Sequence, residues 1–270
     1  MKRALSYLTL INLFFLLFLS LSGFADGALG AVLYYCAFLV PAGIAYFVKS
    51  RLELPPSPPS LKMTGKKAAL LIPVIAPTLL LVFLISCLTS LILSFFGEGS
   101  VTDVSGNIVA VILTHAVLTA ICEELLFRYI PLSFISPYTK RGAVLVSALF
   151  FAFAHCNLYQ IPYAFFAGVI FAVVDLVFDS IWPSVLIHFL NNLVSILWLR
   201  NFESENFATA YILILCSLAL ISIIVLLLLR GKYKEEISRT FKDKRKYKLS
   251  LEILVFIGAS IVIALFGLFR

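Results

Sequence analysis

Glu123 and Glu124 stand side by side, and Arg128 follows, in the stretch Ile-Cys-Glu-Glu-Leu-Leu-Phe-Arg. On a helix, Glu124 and Arg128 share a face at i,i+4 with the acid N-terminal, the favourable order for an ion pair. Glu123 then projects about 100° away from that pair and stays available for chemistry. Downstream, Phe151-Ala152-Phe153-Ala154-His155 sets a histidine beside small residues that permit close helix approach. His188 and Asn192 are again i,i+4, so an imidazole and an amide share one face. A carboxylate base, two imidazoles and an amide suffice to activate water and stabilise an oxyanion. Glu123, His155 and His188 are equally a donor set for catalytic zinc. Composition and spacing leave both chemistries open.

The elements that must position these groups cross a membrane. The chain is 62% hydrophobic and 13% charged, with a mean hydropathy of +1.07. That lies outside the range of soluble domains. Apolar runs long enough to cross a bilayer recur throughout, at about 5–23, 29–48, 68–96, 107–135, 142–156, 161–178, 183–199, 208–229 and 249–269. The expected fold is all-α: a polytopic helical membrane protein of about nine transmembrane helices, with the site inside the bundle. A carboxylate at membrane depth costs at least about 2.5 kcal/mol, so two adjacent ones mark function before packing. The polar residues within spans concentrate between 107 and 199, which hold all three histidines. Residues 1–106 therefore read as N-terminal helices and a linker, 107–200 as the chemical core, and 201–270 as C-terminal helices.

Basic residues give the orientation. With the N-terminus cytoplasmic, inner segments hold Lys2 and Arg3; Lys49, Arg51, Lys62, Lys66 and Lys67; Lys140 and Arg141; and nine more from Arg230 to Lys248. Outer segments hold Arg200 and Arg270 alone, and carry Asp26, Glu98, Asp103, Glu203 and Glu205. The net charge of +7 thus belongs to cytoplasmic loops lying against anionic lipid. No nucleic-acid partner is expected, since Lys242–Lys246 sits between two spans. The first span resembles a secretory signal, but its apolar stretch is long enough to remain as a helix. Five cysteines without a C-x-x-C spacing read as small apolar packers. The stretch 52–66 begins as an extended, proline-rich cytoplasmic linker, and 230–248 is a basic connector suited to an interfacial helix. The absence of an internal repeat counts against a carrier built from inverted halves.

Glu-Glu-x-x-x-Arg, Phe-x-x-x-His and His-x-x-x-Asn follow in that order on separate spans. In this the chain resembles the CPBP family of intramembrane proteases, which includes type II CAAX prenyl endopeptidases and bacteriocin-processing or immunity (Abi) proteins. The resemblance covers about 107–200, including Ser180-Ile181-Trp182-Pro183-Ser184-Val185-Leu186-Ile187-His188. It implies an endopeptidase of a bacterial cytoplasmic membrane acting on a membrane-borne, prenylated or leader-type peptide. It further implies that Glu123 with His155 activates water, that His188 and Asn192 stabilise the oxyanion, and that Glu124 and Arg128 support them. The family is usually classed as metalloproteases; a glutamate-based mechanism without ligated zinc is the alternative preferred here. Tyr129 departs from the glycine that many bacterial members have after the arginine. A non-catalytic scaffold or immunity protein is the second reading, and a proton-coupled carrier the third.

His115 matches no motif and reads as a bonded packing histidine. Asp175 and Asp179, near the cytoplasmic end of their span, read as lining a water-filled entrance. Depth sets a test. Glu123 lies roughly 20 Å and His155 roughly 21 Å above the inner ends of their spans, but His188 only roughly 8 Å if its span is straight. A shared site therefore requires the 175–183 connection to dip into the protein.

Overall fold

The computed structural model describes residues 1–25, 27–52, 54, 58–62, 68–95, 104–243 and 250–268. Much of the proline-rich linker, the acidic Asp26, Glu98 and Asp103, and 244–249 of the basic connector lie outside the described residues.

Among the described residues, ten helices follow in chain order: α1 (Lys2–Ser22), α2 (Gly27–Arg51), α3 (Ala68–Leu93), α4 (Ile108–Ile135), α5 (Lys140–Ala154), α6 (Ile161–Phe178), α7 (Trp182–Asn201), α8 (Glu205–Leu228), α9 (Arg230–Thr240) and α10 (Leu251–Leu268). Among the described residues, seven are long and apolar enough to cross a membrane: α1 to α4 and α6 to α8. The other two anticipated spans, α5 and α10, are shorter. Helix α5 has 15 residues and is mostly buried. It ends because Cys156 adopts a left-handed φ of 47°, which turns the chain towards α6. A short helix therefore delivers His155 to the bundle interior rather than to the membrane surface.

Local chemistry sets the other boundaries. Asn107 caps α4 by accepting hydrogen bonds from the Val109 and Ala110 amides, and Thr139 caps α5 through Gly142. Proline in the first turn opens α6 and α7. Asp179, at φ 53°, ends α6. Helix α9 carries no buried residue and lies along the bundle, its Tyr233 hydroxyl donating to the Leu70 carbonyl at 2.6 Å.

The basic segments meet one another on one side of the bundle. Ser6 donates to Glu252 at 3.4 Å and the Lys140 amide to Asp243 at 2.9 Å. On the opposite side, Tyr159 donates to the Leu93 carbonyl at 3.2 Å. There the Arg200 guanidinium also holds the Val104 and Gly106 carbonyls at 2.7 and 2.6 Å. The helices thus alternate in direction as the positive-inside pattern requires.

Candidate active site

Helix α4 is not uniform. Ile112–Leu118 and Leu125–Tyr129 are wound as π-helix on either side of Thr119–Glu124. Such wide turns are rare and concentrate at functional sites. Carbonyls in these stretches are used by neighbours. Asn192 Nδ2 donates to His115 O at 3.1 Å, and Ser147 Oγ donates to Phe127 O. Tertiary partners so supply what the widened backbone leaves open.

The two glutamates are sorted by burial. The Glu124 side chain is 0% exposed, as is Arg128, and their Oε2 and Nε lie 3.4 Å apart. That contact is ionic rather than a well-aligned hydrogen bond, and Arg128 Nη2 has no hydrogen-bond acceptor among the described residues. Aromatic faces take its place: the guanidinium carbon is 4.0 Å from the Phe151 ring centre and 5.5 Å from that of Phe171. Glu123 keeps 13% of its side chain exposed and faces a cavity.

Glu124 has a second partner that the sequence reading omits. His188 Nδ1 lies 2.8 Å from Glu124 Oε1, and its ring rests 5.6 Å from both Phe151 and Phe171. An ionised Glu124 requires the proton on Nδ1, which fixes the ring and aims Nε2 at Glu123, 3.8 Å from Oε2. This distance exceeds a hydrogen bond, so both atoms keep bonding capacity towards the cavity.

His155 caps α5. Its Nδ1 lies 2.8 Å from the Phe151 carbonyl, which can only accept, so Nδ1 donates and Nε2 is the nitrogen left for the cavity. Glu123, His155, His188 and Asn192 all line a cavity of about 670 Å³. No hydrogen bond joins Glu123 to His155 among the described residues, and the Asn192 amide is partly committed to His115 O. His188 and Glu123 do meet, and in the connection between α6 and α7 Ser180, Ile181 and Pro183 are buried beside the segment around Ser60 while Asp179 and Trp182 stay exposed.

Two expectations are corrected. His115 is exposed and lines the cavity; its Nδ1 bonds Thr114 Oγ1 at 2.8 Å, so it is not a packed interior histidine. Asp175 lines no entrance. It is fully buried and accepts hydrogen bonds from Ser184 Oγ at 2.8 Å and the Ser184 amide at 3.2 Å, holding the first turn of α7 under His188. Asp179 is exposed, and its carbonyl accepts from Ser60.

Tyr34 and Tyr163 also line the cavity, within electrostatic reach of Glu123. Neither carries a sequence signal, since tyrosine is common at membrane interfaces. Catalytic zinc needs three converging protein donors. Among the described residues no three or more His, Cys, Asp or Glu side chains gather closely enough to hold a metal ion. Glu123 and His188 converge and His155 does not join them, so the donor set in this arrangement does not fit zinc.

Residues 105–194 match the family model described as type II CAAX prenyl endopeptidase Rce1-like. The matched stretch contains all of α4, α5 and α6 and most of α7, the four helices that carry the site. Comparison with curated proteins and with solved structures returned no match.

Proposed function

We propose that the chain is an intramembrane endopeptidase that hydrolyses a peptide bond in a membrane-borne substrate, in a bacterial cytoplasmic membrane. The observation that carries this reading is the division of the glutamate pair: Glu124 is sealed against Arg128 and His188, while Glu123 is left facing the cavity. A buried support and an open base are what general-base catalysis asks of two carboxylates. The match to a peptidase family over the same helices points the same way.

In this mechanism Glu123 takes a proton from water as the oxygen attacks the scissile carbonyl, with His155 Nε2 orienting that water. The tetrahedral oxyanion is met by His188 Nε2–H, which requires a doubly protonated ring. Asn192 lies one turn further along α7, where its amide stabilises the same charge. Glu123 then passes its proton to the leaving nitrogen, the C–N bond breaks, and the carboxylic acid and amine products separate, the acid losing its remaining proton to the amine or to water. Zinc takes no part in these steps.

Replacing Glu123 by Gln tests the reading against a non-catalytic immunity protein or scaffold and against a proton-coupled carrier. Free peptide termini in the membrane fraction are profiled in cells expressing either form. A set of termini lost with Glu123→Gln, at equal protein abundance, is expected. Identical profiles would overturn the proposal.

A further inference from the structure

The position of the cavity along the membrane normal has a meaning for the substrate. Most of its walls come from the later halves of α1, α3, α5 and α7, from the earlier halves of α2, α4 and α6, and from Tyr211 of α8, while Glu123, Phe127, Phe171 and His188 lie close to mid-helix on the cytoplasmic side of it. Given the orientation set by the basic residues, each of those halves is the one remote from the cytoplasm. Cys87, Ser90 and Ser195, near the outer ends of α3 and α7, line the cavity and are exposed, so it reaches the molecular surface there. A second cavity of about 390 Å³, between α2 and α4, shares Tyr34, His115 and Thr119 with the first and lies in the same half.

The cytoplasmic side is closed by contrast. The Ser60 amide donates to the Asp179 carbonyl at 3.4 Å, the Ile181 amide to Ser60 O at 3.1 Å, and Trp182 Nε1 to Leu61 O at 2.8 Å. Ser136 Oγ donates to Pro58 O at 3.2 Å. Above this cover lie Asp175 with Ser184, then Arg128 and Glu124, all fully buried. Residues 130–135 of α4 are buried as well. No residue below Glu123 on α4, other than Phe127 one turn away, lines the cavity.

We infer that the site takes substrates from the non-cytoplasmic side: peptides anchored in the membrane whose scissile bond lies in the outer half of the bilayer or just outside it. This rests on the proteolytic reading above and specifies its substrate class. A tail displayed in the cytoplasm has no route to Glu123 through the cover. Phe83, Trp198 and Tyr211 line it beside the polar Ser86, Ser90 and Asn191, so the walls offer apolar surface to residues flanking the bond together with a few polar groups.

Two measurements separate failure of this inference from failure of the proteolytic reading. In the full chain with Cys36, Cys122, Cys156 and Cys216 replaced by Ala, a membrane-impermeant sulfonated maleimide is applied to intact cells and to inverted vesicles. Cys87 is expected to react from outside only, and Ser90→Cys in the cysteine-free chain likewise; Lys62→Cys is expected to react from inside only. Reaction of the Cys87 and Ser90→Cys positions from the cytoplasmic side, or of neither from either side, overturns the inference whatever the enzyme does. In the terminus profiles, cut sites lost with Glu123→Gln are expected in substrate segments outside or in the outer leaflet. Cuts in cytoplasmic tails overturn the inference while leaving a protease. Unchanged profiles with outward labelling overturn the protease instead.

Discussion

His188 Nδ1 lies 2.8 Å from Glu124 Oε1, so the imidazole that faces the cavity is held by a carboxylate that does not. The adjacent glutamates therefore act on the same ring from two sides: Glu124 holds Nδ1, and Glu123 lies 3.8 Å from Nε2. Burying Glu124 beside Arg128 alone would be a costly way to lock a helix. Burying it to orient a histidine gives that cost a function.

Glu123→Gln is expected to fold as the parent does and to lose about 10²–10⁴-fold in cleavage rate, the usual contribution of a positioned general base. Thermal unfolding in detergent alongside the rate separates the two effects. A variant that loses stability in proportion to activity would contradict the assignment.

Glu124→Gln behaves differently, since it leaves the Arg128 charge buried and unpaired, at a cost of about 3–5 kcal/mol. Adding Arg128→Met removes that charge. The double variant should recover most of the melting temperature yet stay impaired, because a neutral amide is a weaker acceptor for the His188 Nδ1–H than the carboxylate. Recovery of activity would mean that Glu124 serves only to pair with Arg128.

Asp175→Ala removes the acceptor for the Ser184 amide and hydroxyl under α7. A loss of about 1–3 kcal/mol is expected from the unsatisfied buried donors. Ser184→Ala should cost less, since it removes one donor and leaves the amide contact. Equal melting temperatures for both variants and the parent would show that this anchor contributes nothing.

Gly168 is a packing requirement. A Cβ there would meet the Ala148 Cα at 3.0 Å, so Gly168→Ala must push α5 away from α6. Overpacking of this kind costs about 1–3 kcal/mol, and the shift carries His155 with it. At Gly258, in α10, nothing lies within 4 Å, and Gly258→Ala should be neutral or stabilising by up to about 1 kcal/mol. Comparing the two melting temperatures checks the contact.

Much of this was legible before any coordinates. Hydropathy alone places α4 and α6 to within a residue, because lipid imposes one helical solution on an apolar run. Glu124 and Arg128 pair at i,i+4 as their spacing implies, whereas the meeting of His188 with the two glutamates was implied only by the motif resemblance. The rest depended on tertiary partners. The apolar run at 142–156 already has the 15-residue length of α5, but counting residues gives no sign of the left-handed Cys156 that follows it. Nor does spacing reveal that Asp175 points at Ser184, that His115 stays exposed, or that the Asn192 amide finds the His115 carbonyl. Tyr34 lies far from the motifs in sequence and meets them only through packing.

The two wide turns in α4 also bear on how the helix is built. Each accommodates one residue more than an α-helical turn would, so the segments before and after Thr119–Glu124 are rotated independently of each other. A uniform helix has one free angle to choose; α4 has three. With them it can present the His115 carbonyl to α7, Glu123 to the open space and Arg128 to two phenylalanines at once. Deleting a single residue from either wide stretch would keep a helix there and keep every motif residue, yet turn part of the constellation away from the rest.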